Sequence, residues 1–242
     1  MKRLACGALI LCGQVDADIL TNPPVRELGN GRLQIGQIEV DAKAKAITFA
    51  AVINMRDGVV EYLVVNAKGK VHESLLRTDI EPFHIHTAML LLGAKTATNS
   101  EAAAFFDPKR EIPGPKITIE VALPPPEKKG VEIETLLAFA ESKRPVNMND
   151  LPHWIYNGSR FTDTPGLEPV AAGAPQRQQD SKREAEKVFM AQREGSIVSL
   201  IADPNALVNN PRKDRENDEL WILNTEVIPP VGTPVQVSFK LE

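Results

Sequence analysis

Three of the chain's four histidines fall in one short stretch, GKVHESLLRTDIEPFHIH, from Gly69 to His86, with Glu73, Asp79 and Glu81 among them. Imidazoles and carboxylates at this density suggest two chemistries. A divalent metal would need three or four converging ligands, and His72, His84 and His86 are the candidates. Acid/base work would need two carboxylates, or a carboxylate and an imidazole, close enough to perturb one another. Glu73 with Glu61, or with a nearby histidine, are the candidates for that.

The elements that would carry these residues limit both options. EPFHIHTAMLLLGA has the features of a helix over residues 82–92. Pro82 suits its first turn and Gly93 its stop, and it is apolar nearly all round, which predicts burial. On a helix His84 and His86, two apart, point to nearly opposite sides. VVEYLVV, from Val59 to Val65, is apolar on both faces, as in a central, doubly covered strand. NAKGK, Asn66 to Lys70, reads as a hairpin loop with Gly69 in the left-handed conformation. That hairpin sets Leu63 opposite Glu73, Val64 opposite His72 and Glu61 opposite Leu75. Glu61 and Glu73 then lie diagonally on one largely apolar face, with His72 on the other. Carboxylates there must be paired or hydrogen-bonded, with Lys70, Arg77, a loop amide or the following helix's N-terminus as partners.

Strand patterns dominate the rest. LQIGQIEV alternates around a break at Gly36, AITFAAVIN places Ile47, Phe49, Ala51 and Ile53 on one face, and ITIEVAL and VQVSFKLE alternate cleanly. KVFMAQ and IVSLIAD carry strand signals, DPNALVNN reads as a short turn or helical cap, and VEIETLLAFAESK begins as a strand and could continue as a helix. Trp154, Tyr156 and Phe161 sit in a strand-and-turn setting; Trp154 and Tyr156 could line a ligand groove, yet aromatics are usually core. Ser159 in YNGSRF lacks the flanking glycines of a nucleophile elbow, and GKVHES lacks those of a phosphate loop. A polar stretch over about 162–186 reads as an insertion or mobile loop. The prediction is an α+β fold, mostly antiparallel β, with one buried helix near 82–92 and few other short helices.

At 242 residues, 43% hydrophobic and 25% charged, the chain can bury a sizeable core, and its charge of −4 leaves no basic face for nucleic acid. MKR followed by LACGALILCG and QVDA has the form of an export signal cleaved after Ala17, with residues 18–242 as one domain. Both cysteines, Cys6 and Cys12, lie inside that signal. The mature chain would then have no disulfide, thiolate nucleophile or cysteine-held metal. Lipoprotein anchoring at Cys12 is the lesser alternative, because Leu11 is bulky where such sites want a small residue. No later apolar run reaches transmembrane length.

GVVEYLVVNAKGKVHESLLRTDIEPFHIHTAMLLLGA resembles the central signature of the YdjY-domain family of exported bacterial proteins. HWIYNGSRF, EGSIVSLIADPNALVNN and LNTEVIPPVGTPVQV are similar to its later blocks, in the same order. The resemblance implies an exported domain of uncharacterised function and transfers no catalytic residue. A ferredoxin-like label attached to relatives does not carry over to a mature chain without cysteine. The sequence therefore points to an exported, soluble, non-catalytic binding or envelope-accessory domain. No cofactor is implied, and the partner, in the envelope or outside the cell, is unidentified. The alternatives are a hydrolase or lyase using Glu73 with Glu61 or a histidine, and a divalent-metal binder around His72, His84 and His86.

Overall fold

A computed structural model describes residues 23–96, 99–124, 130–163 and 187–242. The export signal with Cys6, Cys12 and Ala17, and residues 164–186 of the polar stretch at 162–186, lie outside the described residues. The chain opens as a meander of β1 (Val25–Gly29), β2 (Arg32–Ile35), β3 (Ile38–Asp41) and β4 (Ala46–Ile53). LQIGQIEV is thus two strands, with Ile35 paired to Ile38 across a tight turn at Gly36, whose φ of 57° is left-handed. In β4, Ile47, Phe49, Ala51 and Ile53 are buried on one face, as alternation predicts.

Next come β5 (Tyr62–Asn66), β6 (Ser74–Thr78) and helix α1 (Pro82–Leu91). Pro82 occupies the first helical turn, where its missing N–H costs nothing. At the other end the Gly93 amide donates to Leu90 O at 2.9 Å and the Ala94 amide to Met89 O at 3.1 Å, a Schellman closure with Gly93 at φ 89°. Ile85, His86, Ala88 and Met89 are buried against the sheet, while Leu90 and Leu91 remain exposed, so the helix is buried on one face rather than all round.

The remaining elements are β7 (Lys116–Ala122), β8 (Gly130–Glu132), β9 (Leu137–Phe139), β10 (Trp154–Tyr156), β11 (Phe161–Asp163), β12 (Lys187–Phe189), helix α2 (Met190–Glu194), β13 (Ser196–Ser199), β14 (Val208–Asn209), β15 (Trp221–Leu223) and β16 (Pro234–Leu241). VEIETLLAFAESK resolves into β8, a 3₁₀ turn and β9. KVFMAQ stops being a strand at Phe189 and turns into α2, which Gly195 ends at φ 72°.

Antiparallel pairing predominates, as predicted, but the sheet closes on itself. Its order runs β4–β16–β7–β10–β14–β13–β5–β6, and β6 pairs back onto β4 through Val52–Arg77 and Ile53–Leu76, completing an eight-stranded barrel. Closure removes two sheet edges that would otherwise be exposed. β3 occupies the other end of the same β4 edge, so β1, β2 and β3 extend as a flap beside the barrel. Phe49 and Phe239 meet edge-to-face at 5.4 Å in a core that also holds Ile117, Ile119, Trp154 and Tyr156. The two aromatics of HWIY are therefore core.

Two pairs in the barrel are parallel: β13 with β14, and β5 with β6. The second overturns the predicted hairpin. Tyr62 lies beside Ser74 and Val64 beside Leu76, so the chain leaves the end of β5 and returns to its start before entering β6. Parallel neighbours usually need a crossover of a dozen residues or more. Here residues 67–73 suffice, ending in a 3₁₀ turn at Val71–Glu73.

Candidate functional site

The short crossover is pinned along its length. Asn66 Nδ2 donates to Ile80 O at 3.0 Å and its Oδ1 accepts the Lys68 amide at 3.0 Å. Asn54 Nδ2 donates to the Val71 and Ser74 carbonyls, and Ser74 Oγ to Lys70 O at 2.5 Å. Glu81, at the N-cap of α1, accepts from Gln192 Nε2 and lies 3.6 Å from Lys68 Nζ. The Glu81 carboxylate makes no capping hydrogen bond to α1; it joins Lys68 of the crossover to Gln192, whose Oε1 accepts the Phe83 amide in the first turn at 3.2 Å.

Parallel pairing brings Glu61 and Glu73 together by a route different from the predicted one. The Glu61 amide donates to Glu73 O at 3.1 Å, so the residues face each other just before the two strands begin. Burial, then the charges of Glu73 and Asp218, push the Glu61 carboxyl above its ordinary range, while Lys70 and His72 pull it back. The Glu73 Oε2 lies 3.5 Å from His72 Nε2, although the His72 ring is mostly in solvent.

The three histidines do not converge. His72 is on the crossover. His84 lies on α1 facing the turn at Gly36, where a Cβ would come within 3.4 Å of its Nδ1. His86 is buried beside Phe83 and Phe189, its Nδ1 2.8 Å from the Tyr156 hydroxyl, and burial lowers its pKa to about 4. Among the described residues, no group of three His, Cys, Asp or Glu side chains is arranged to hold a metal ion. Ser159 is likewise structural: its Oγ donates to Asn205 O at 2.6 Å and accepts the Ala191 amide at 3.0 Å.

An open cleft lies beside these residues, built around Tyr62. The Tyr62 hydroxyl donates to Asp203 Oδ2 at 3.1 Å and accepts from Lys70 Nζ at 2.5 Å. Burial and the Asp203 carboxylate push the phenol's pKa far up, so Tyr62 is a fixed neutral bridge between a cation and an anion. The cleft encloses about 470 Å³ and is also lined by Arg160, Glu194, Asn205, Phe106 and Ile201. Asn205 links two of its charges, accepting from Arg160 Nε at 2.7 Å and donating to Glu194 Oε1 at 2.8 Å.

The floor of the cleft is held by buried amides from DPNALVNN. Asn209 accepts the Asp203 amide, and its Nδ2 donates to Asn157 Oδ1 and Asp203 O. One wall, carrying Phe106, is clamped from behind by Arg215. This arginine is 1% exposed and donates to the carbonyls of Ala104, Phe105, Asp107, Arg110 and Arg212.

Of the sequence candidates, Glu61 and Glu73 border this region without lining the cleft. Lys70 appeared in the sequence as the end of a hairpin loop and a partner for carboxylates, and Asp203 and Asn205 as part of a short turn or helical cap. The Asp-Pro-Asn step was the available signal, since such residues bond their own backbone and fix a loop: the Asp203 Oδ1 accepts the Asn205 amide at 2.9 Å.

The family model of the YdjY domain matches residues 38–240, and the chain belongs to that family. No curated protein and no solved structure matches it.

Proposed function

We propose that this YdjY-domain protein works as an exported, soluble, non-catalytic binding domain that holds a small ligand in the cleft over Tyr62. The observation that carries the reading is the chain Lys70–Tyr62–Asp203 inside an open cleft. Each group there that could do proton chemistry is already bonded to another, and the phenol is held neutral. Fixed donors in a concave, partly apolar site are the usual makings of recognition. Export after cleavage behind Ala17 belongs to the same proposal, and N-terminal sequencing of the mature protein tests it. No helix among the described residues is long and apolar enough to cross a membrane.

A second reading, a hydrolase or lyase using Glu73 with Glu61, has one observation in its favour: the raised Glu61 carboxyl beside Glu73. A thermal-shift screen with a broad ligand collection, run together with hydrolase and lyase assays, separates the two. Binding predicts a ligand that raises the melting temperature and loses its effect in Tyr62→Phe. If instead Glu73→Gln abolishes an activity while the melting temperature stays unchanged, the enzyme reading replaces it.

A further inference from the structure

We propose that the cleft over Tyr62 selects a small organic carboxylate with a flat apolar body, an inference that rests on the binding reading above. Its basis is the hydrogen-bonding capacity the cleft leaves unspent. Asp203 has both oxygens engaged, one by the Tyr62 hydroxyl and one by the Asn205 amide. Glu194 has Oε1 engaged by Asn205. On the donor side, Lys70 spends one N–H on Tyr62 and keeps two. Arg160 spends Nε on Asn205, and among the described residues its two terminal nitrogens meet no protein acceptor. A guanidinium edge and an ammonium in one cleft match a carboxylate by charge and by fork geometry.

The competing anion, Glu194, is kept from quenching that edge. Asn205 stands between them, accepting from Arg160 and donating to Glu194, so the two are joined through an amide rather than as an ion pair. One Glu194 oxygen remains to disfavour a second negative charge on the ligand or to accept from a hydroxyl. The rest of the lining is apolar: Phe106, 54% exposed, with Ala103, Ile201, Ala202 and Pro204. An exposed phenylalanine on a wall anchored by Arg215 is a stacking face already in place before the ligand arrives.

The test titrates three probes of one shape, phenylacetate, phenylacetamide and benzylamine, into isotope-labelled protein. The readout is the backbone amide NMR signals of Tyr62, Lys70, Ala202 and Asn205. The expected result is that phenylacetate moves these signals and phenylacetamide binds about tenfold or more weakly. Lys70→Met and Arg160→Met should each weaken phenylacetate by about tenfold. The comparison among probes on the unaltered chain needs no variant, so a misfolded variant does not stall it. Equal binding of phenylacetate and phenylacetamide, or preference for benzylamine, overturns the carboxylate inference and leaves the binding reading standing. If none of the three moves these signals, the carboxylate inference falls, and the binding reading is then decided by the broader thermal-shift screen.

Discussion

Gly69 and Gly195 pack backbone to backbone, with no room for a side chain on either. A Cβ on Gly69 would lie 2.8 Å from Glu194 O, and one on Gly195 would lie 2.7 Å from the Gly69 Cα. The contact is reinforced by the Asn66 amide, which donates to Gly195 O at 2.7 Å. This approach holds the crossover, and with it Lys70, against the turn between α2 and β13. It also gives Gly69 a different reason from the predicted one: close approach of two backbones, not a left-handed hairpin position.

Gly195→Ala should therefore be costly twice over, through its φ of 72° and through the clash with Gly69. A loss of about 2–4 kcal/mol in denaturant unfolding is expected. Gly29→Ala is the matched control, with φ 82° and nothing within 4 Å of the added carbon. It should cost only about 1–2 kcal/mol. Equal losses at the two sites would show that the close packing contributes nothing.

His86 and Tyr156 should behave as a coupled pair. His86→Phe leaves the buried Tyr156 hydroxyl without its partner and should cost about 1–3 kcal/mol. Adding Tyr156→Phe should recover part of that loss, and a double-mutant cycle measures it. The imidazole also has a pH signature. Its folded pKa, about 4, lies below the ordinary 6.5, so the unfolded chain takes up the proton first. The stabilisation is complete above pH 6.5 and is lost as pH falls towards about 4. In His86→Phe this acid-side slope should disappear from a plot of unfolding free energy against pH.

Glu134 predicts the opposite slope. Only 2% exposed, and 3.4 Å from the Trp154 indole N–H that donates to it, its carboxyl is pushed up to about 7, chiefly by burial. The folded state holds the proton more tightly than the unfolded chain, whose carboxyl titrates near 4.5. Stability from this group is full below that value and falls as pH rises, the loss being complete above about 7. The penalty is about 3 kcal/mol. Glu134→Gln keeps an acceptor for Trp154 and removes the charge. It should raise the melting temperature at pH ~8 and leave it nearly unchanged at pH ~4. A variant no more stable than the parent at the higher pH would refute this account of Glu134.

The helix over 82–92 and the strands β4, β7 and β16 could be read from the sequence because their signals are local. Pro82 and Gly93 mark the ends of α1, and period-two alternation marks the buried faces of the three strands. β5 was also legible as a central strand, since all five of its residues are buried. The nearness of Glu61 and Glu73 was expected only from the register of the predicted hairpin, and the parallel pairing that replaces it brings them together by a different route.

What the sequence could not carry was the choice of strand partners. A glycine-containing loop after an apolar strand is equally compatible with a hairpin and with a tight crossover. Which forms depends on which sheet edge remains unpaired, and here β4 and β13 offer the edges that β6 and β5 take. The same non-local choice closes the barrel. It also sets Asp203, 141 residues further along the chain, against the Tyr62 hydroxyl. Periodicity and caps report a residue's own neighbourhood, so the sequence determined α1 and the alternating strands with their buried faces. The cleft exists only where distant elements meet, and tertiary pairing alone decided that.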